Sequence, residues 1–341
     1  MTETVANGAL PTWLTQQLQA LLAQGGHAWL LHGPSGLGQY ELALALARAW
    51  LCEAPSPQGA CHQCGSCHAI AVCTHPDLCV LMPETEMLHR QWPLSEKAQA
   101  ELDDKKRKPG KEIRVDAMRD AIEFSQRTAA KGRGKVVLIY PAEMMNHITA
   151  NALLKTLEEP PGDTRFILAT QSAHLLLPTI RSRCMSHAML FPEPDASLRW
   201  LQSCGMAPDS AAVWLAASGN RPLDALELAG SGAASGAWTG FPQAMRRGDV
   251  AFVKDWGATQ LLSALHKLCH DQLALSVGAS PRFFPALALV PGCQFARLSS
   301  WSQALNTSMR SAEHPYNPGL MQEALVNQAR LALHSSAKQS T

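Results

Sequence analysis

Two groups of residues have the types and spacing to do chemistry. The first is Gly33-Pro34-Ser35-Gly36-Leu37-Gly38-Gln39-Tyr40, which fits the glycine frame of a phosphate-binding loop, GxxxxGK[ST], but not its last two positions. In such a loop the glycines let backbone N–H groups cradle phosphates at a helix N-terminus. The lysine then neutralises the β- and γ-phosphates, and the Ser or Thr hydroxyl ligates magnesium. Here Gln39 brings no cation, and Tyr40 carries its oxygen at the end of a rigid ring. The apolar run ending at Tyr140 should be followed by acidic residues that hold magnesium and polarise water. Tyr140 and Pro141 stand there instead, and Glu143 comes two positions late. Gly33 and Gly38 keep the loop's spacing, but with Gln39, Tyr40, Tyr140 and Pro141 the cation and the metal ligands are gone, so no Mg-ATP hydrolysis is expected. A chance glycine-rich turn is the plain alternative, and the strand–loop–helix setting argues against it.

The second group is Cys52, Cys61, Cys64 and Cys67, spaced C-x8-C-x2-C-x2-C, which gathers four of the ten cysteines into sixteen residues. Four thiolates close a tetrahedral zinc site with no open position, so the metal expected here is structural. It would clamp a polar loop too small to form its own core, with Gly65 permitting a tight turn. An iron–sulfur cluster of ferredoxin spacing would need a cysteine at 71, where alanine stands, and Cys73 is too late. His62, His68, Cys73 or His75 could replace one ligand, and reduced free thiols are the plain alternative. Cys79, Cys184, Cys204, Cys269 and Cys293 lie in apolar or helical surroundings and read as core residues.

The elements that must position these groups follow from periodicity. Short apolar runs at 28–32, 77–82, 136–140 and 166–170 read as buried strands, with helical patterns at 41–51, 116–126 and 149–159 between them. Strands alternating with helices imply an α/β unit with a parallel sheet covered on both faces. Between 84 and 111 the pattern fails, and a solvated, charged insertion is expected. Its basic run Lys105-Lys106-Arg107-Lys108 is directly preceded by Glu101, Asp103 and Asp104. After Cys184 the strands thin out. Residues 194–228 read as short helices, 229–240 (AGSGAASGAWTG) as a small-residue linker, and 250–275, 298–309 and 320–333 as helices.

One stretch is not predictable from physics. Ala150-Asn151-Ala152-Leu153-Leu154-Lys155-Thr156-Leu157-Glu158-Glu159-Pro160-Pro161 resembles the segment after the acidic motif in AAA+ subunits of the bacterial DNA polymerase III clamp loader. Residues 166–170 resemble that family's sensor-1 strand, and Ile180-Arg181-Ser182-Arg183-Cys184 its Ser-Arg-Cys motif. The resemblance covers about residues 26–190 in order and implies an AAA+ domain at 1–190, with a zinc module at 52–67 and the insertion at 84–111. It further implies a small helical lid at 191–230 and an all-helical collar at 231–341. The four cysteines match the family's zinc module. A dead phosphate loop beside an intact Ser-Arg-Cys implies the family's non-hydrolysing subunit.

From the tripeptide alone, pairing of Arg181 and Arg183 with surface carboxylates is the simpler reading. The resemblance implies instead that Arg183 is an arginine finger reaching ATP on an adjacent subunit, with Arg181 as the fallback. It also implies as partners the ATPase subunits gamma and tau and the delta subunit, with the sliding clamp and primer-template DNA met through the complex. In the lid, Leu223 aligns where the family places a second arginine, and Arg221 is displaced.

Composition bounds the rest. A 46% hydrophobic, 17% charged chain of 341 residues can bury a core in two or three domains. A net charge of +1 offers no global field for nucleic acid or an anionic membrane. Lys131, Arg133 and Lys135 are local candidates for phosphate contact. No signal peptide or membrane-length apolar run is read in the sequence, so a cytoplasmic location is expected. The competing readings are an active ATPase of the same fold and a zinc-bearing nucleic-acid-binding protein.

Overall fold

The computed structural model describes residues 10–230, 235–310 and 317–334, and the chain divides into two compact units, Met1–Ala196 and Ser197–Thr341. The first unit carries α1 (Thr12–Leu22), β1 (Ala28–His32), α2 (Gln39–Leu51), α3 (Gly65–Ala71), β2 (Leu78–Leu81), α4 (Glu84–His89) and α5 (Glu96–Asp103). It continues with α6 (Val115–Gln126), β3 (Lys135–Ile139), α7 (His147–Glu158), β4 (Thr164–Thr170), α8 (Pro178–Arg181) and β5 (Met185–Ala188). The five strands form one parallel sheet in the order β2-β3-β4-β1-β5. Every strand expected from the sequence is present, displaced by at most two residues at an end.

All five side chains of β3 are buried, which explains why this strand reads as an unbroken apolar run and not as an alternation. On one face Val137, Ile139, Phe166 and Leu168 pack with Met118 and Ala121 of α6 and Leu153 and Leu157 of α7. Helix α2 lies against β3 and β4 and buries Leu42, Leu46 and Leu51 completely. Replacing one such leucine by alanine removes about 2–5 kcal/mol, so the helix behind the phosphate loop is fixed firmly. Asn146 caps α7 by accepting the N–H of Thr149 at 3.0 Å. In a parallel sheet the carboxyl ends of the strands form the usual ligand crevice. The ends of β1, β3 and β4 bring the loop at 33–38, Tyr140 and Gln171 to that edge.

The 84–111 stretch departs from the expectation of a solvated loop. It contains α4 and α5 and is tied down from within: Glu84 is buried and ion-paired to Arg107, and Arg107 Nε donates to Glu101 at 2.7 Å. The central arginine of the basic run is therefore engaged by carboxylates.

In the second unit one core draws on Leu201, Trp214, Trp238, Phe241, Leu265, Trp301 and Leu325, with Trp238 stacked on Phe284 at 4.6 Å. The fully buried Asp271 accepts backbone N–H groups from Arg282, Phe283 and Phe284 at 2.7–2.9 Å. The expected linker at 229–240 is largely helical: residues 229 and 230 end the helix Pro222–Gly230, and 235–240 begin the helix Ser235–Arg247. Residues 231–234 of that stretch lie outside the described residues.

Candidate functional site

The phosphate loop has the backbone its sequence implies. Gly36 and Gly38 hold φ of +76° and +99°, a region that favours glycine, and Gly38 caps α2 in the left-handed conformation. What differs is where the side chains point. Gln39 is buried, and its Nε2 donates to the carbonyls of Gly33 and Pro34, both at 2.7 Å. Both amide protons thus close the loop on itself.

Tyr40 and Tyr140, 100 positions apart in sequence, meet with ring centroids 5.4 Å apart. The Arg90 guanidinium lies over them, 4.0 Å from the Tyr40 centroid and 4.9 Å from that of Tyr140. Its charge is met by Glu41 at 3.5 Å and Glu86 at 3.2 Å. Trp92 Nε1 donates to the Tyr40 hydroxyl at 2.6 Å, and Gln171 Nε2 donates to that of Tyr140 at 3.1 Å. Burial pushes both phenols up to about 12, so neither becomes the oxyanion a metal would need at neutral pH. Pro141 follows Tyr140 through a cis peptide bond. Glu143, the late acid, accepts from Thr170 Oγ1 at 2.6 Å and from the Gln171 N–H at 3.0 Å. Its carboxylate clasps the end of β4.

Arg183, between α8 and β5, has a different setting. Its Nε and Nη2 donate to one oxygen of Glu158 at 3.2 and 2.9 Å, and its Nη1 donates to the Thr179 carbonyl at 3.1 Å. The pair faces water, with side-chain exposures of 31% for Arg183 and 59% for Glu158. Arg181 is exposed. Burial pushes the Cys184 thiol up to about 12, which leaves the arginines as the reactive-charge candidates of this motif.

The four cysteines expected to meet do meet: their sulfurs all lie within 4.8 Å of one another. Zinc–thiolate bonds of about 2.3 Å require a tetrahedron edge of about 3.8 Å, and Cys52 Sγ lies 3.8 Å from Cys64 Sγ. The Cys61 N–H donates to Cys52 Sγ at 3.2 Å and the Cys67 N–H to Cys64 Sγ at 3.4 Å, which favours thiolate. Burial opposes ionisation of Cys64, but these and neighbouring donors outweigh it and hold the thiol down at about 6. Burial pushes Cys52 up. A divalent cation would bring all four to thiolate. The donor set fits a metal such as zinc.

Of the basic candidates, Lys135 is buried, 3.5 Å from Asp77 and 3.9 Å over the Phe124 ring, and cannot reach a phosphate. Lys131 lies 4.0 Å from Glu53, and Arg133 Nε donates to the Trp50 carbonyl at 3.4 Å. Arg221 pairs with Asp224 at 2.9 Å. Sequence reasoning missed Arg90 and Trp92. The only signal for them was an arginine and a tryptophan two apart in an otherwise charged insertion.

A family model described as DNA polymerase III, delta subunit, matches residues 12–192, more than half of the chain. A DNA polymerase III subunit delta' from Pseudomonas aeruginosa is 44% identical over 214 residues, covering 62% of this chain and 58% of that relative. The corresponding subunit from Escherichia coli K12 is 34% identical over 222 residues, 63% of this chain and 60% of its own. The chain thus spans about three fifths of the length of these curated relatives. A solved structure of a DNA polymerase III gamma-subunit-related protein from Thermotoga maritima aligns over 94% of this chain and all of its own, with a TM-score of 0.50 and 16% identity. At that identity the likeness is one of fold alone.

Proposed function

We propose, from the premise that this chain belongs to the DNA polymerase III delta-prime subunit family, that it is a non-hydrolysing subunit of the clamp loader. In this reading it presents Arg183 to ATP held by a neighbouring subunit. The observation that carries the reading is a contrast between the two edges of one parallel sheet, the loop following the end of β1 and Arg183 preceding the start of β5. The chain's own phosphate loop is filled by its own side chains, while Arg183 keeps a partly exposed guanidinium paired to one surface carboxylate. A guanidinium brought to a γ-phosphate neutralises the charge that develops in the transition state, and fingers supplied in trans contribute ~10³–10⁵ in rate.

The neighbours in this reading are the ATPase subunits gamma and tau and the delta subunit, with the sliding clamp and primer-template DNA engaged through the assembly. The helical part from 191 onward would divide into a lid to 230 and a collar from 231 that joins the subunits. Cys52, Cys61, Cys64 and Cys67 would hold a structural zinc that clamps the loop after α2. The cytoplasm is the compartment this role requires, and no helix among the described residues is long and apolar enough to cross a membrane.

The test is ATP turnover by the chain alone and in a reconstituted loader with clamp and primed DNA. The chain alone should be silent. Arg183→Ala should depress turnover of the assembly, and Arg181→Ala should change it far less. Ordinary turnover by the isolated chain would restore the active-ATPase reading, and tight salt-dependent binding to primed DNA by the chain alone would favour the nucleic-acid reading. For the metal, elemental analysis should find one zinc per chain, lost on Cys64→Ser, and an iron chromophore would refute the assignment.

A further inference from the structure

The segment 84–92 lies outside the motifs that define a nucleotide site, yet two of its side chains end inside one. The geometry points to this segment as a resident plug of the phosphate-loop site: Arg90 and Trp92 occupy the metal and phosphate side of the crevice and close it to nucleotide. This goes beyond the loss of the lysine and the hydroxyl, and it does not depend on what Arg183 does.

Four observations carry it. Arg90 lies over both rings that replace the metal-binding side chains, Tyr40 on the loop side and Tyr140 at the end of β3. Trp92, which is buried, donates its indole N–H to the Tyr40 hydroxyl. Glu41 stands in the first turn of α2, where the helix N-terminus would otherwise attract a phosphate, and it is paired to Arg90. The Arg90 charge is thereby taken up by Glu41 and Glu86 and is not offered to a polyphosphate. Finally, the segment is anchored at its start. Glu84 accepts from Arg107 and from the Gly110 N–H at 2.8 Å, and the Thr85 N–H donates to the Gly110 carbonyl at 3.3 Å. A flexible insertion could drift out of the crevice, and this one is held at both ends.

The consequence distinguishes a plugged site from a merely mutated one. If only the two motif residues were lost, Gln39→Lys with Tyr40→Thr would restore binding. With the plug in place it does not, because Arg90 and Trp92 still fill the crevice.

The experiment is equilibrium dialysis of Mg-ADP and Mg-ATP against the full chain in four forms: native, Gln39→Lys/Tyr40→Thr, Arg90→Ala/Trp92→Ala, and all four substitutions together. The first three should show no saturable binding at millimolar nucleotide, and the fourth should bind at least tenfold tighter than any of them. Equal binding by the motif double variant and the fourfold variant would overturn the proposal, as would saturable binding by the native chain. Failure of a folded fourfold variant to bind better than the motif double variant would also overturn it. Hydrogen exchange on Arg90→Ala alone gives a second readout should the fourfold variant not fold. Amides at 33–40 and 140–143 should exchange at least tenfold faster than in the native chain, and unchanged protection there would refute the plug.

Discussion

Arg90 and Arg183 belong to the same α/β unit, and each is met by carboxylate, yet their surroundings suit them to opposite tasks. Arg90 has 17% of its side chain exposed, lies over two tyrosine rings and faces Glu41 and Glu86. Arg183 is 31% exposed and shares one oxygen of a carboxylate that is itself 59% exposed. A part-buried, doubly paired guanidinium leaves two carboxylates without their cation if it moves away. An exposed ion pair is worth at most about 1 kcal/mol and exchanges readily for a stronger anion such as a phosphate. In the proposed roles, double pairing and ring packing set apart an arginine that would seal a site from one that would act on a neighbour.

Three substitutions sharpen or break that contrast. The largest effect is on chemistry: Arg183→Ala in the reconstituted loader should lower ATP turnover by ~10³-fold or more, while Arg90→Ala should leave turnover within a few-fold of native. Reversal of the two would show that the plug, and not the exposed arginine, faces the reacting phosphate. The next effect is on stability. Arg90→Ala leaves Glu41 and Glu86 without their cation and two rings without their filler, and should cost about 2–4 kcal/mol. Arg183→Ala should cost less than about 1 kcal/mol. Urea unfolding followed by a probe in the first unit measures both, and equal losses would erase the distinction.

Much of this was legible in the sequence, for identifiable reasons. β1 at 28–32 and the loop at 33–38 declare themselves because an apolar run followed by glycines at fixed spacing has few other uses. The four cysteines declare themselves because metal geometry constrains sequence spacing. The departure at 39 and 40 was legible too, glutamine and tyrosine standing where a phosphate loop has lysine and a small hydroxyl residue. What replaced them was not, because Arg90 and Trp92 act across some fifty positions and belong to a segment whose own pattern is charged. The insertion's order comes from Glu84 reaching Arg107, a pairing that periodicity does not register. At 235–240 the small residues suggested a linker, but Trp238, at helical spacing from Phe241 and Met245, packs the helix into the second unit's core.

The smallest expected effect concerns the anchor of the plug. Hydrogen bonds from Arg107 hold the Glu84 carboxyl below its ordinary range, against burial, with the Gly110 N–H and the charges of Arg107 and Arg114 adding to them. Glu101, which shares Arg107, is lowered for the same reason. A carboxylate with a depressed folded-state value contributes stability that is complete above its unfolded value, about 4.3, and is lost as pH falls through the folded one. Acid should therefore loosen the segment 84–92 below about pH 4, and amides at 33–40 should lose protection with it. Glu84→Gln, which removes the titrating group, should flatten that part of the pH dependence while leaving the exposed Arg183–Glu158 pair untouched. If loop protection falls with acid equally in Glu84→Gln and in the native chain, Glu84 is not the anchor, and the plug must be held from its Trp92 end.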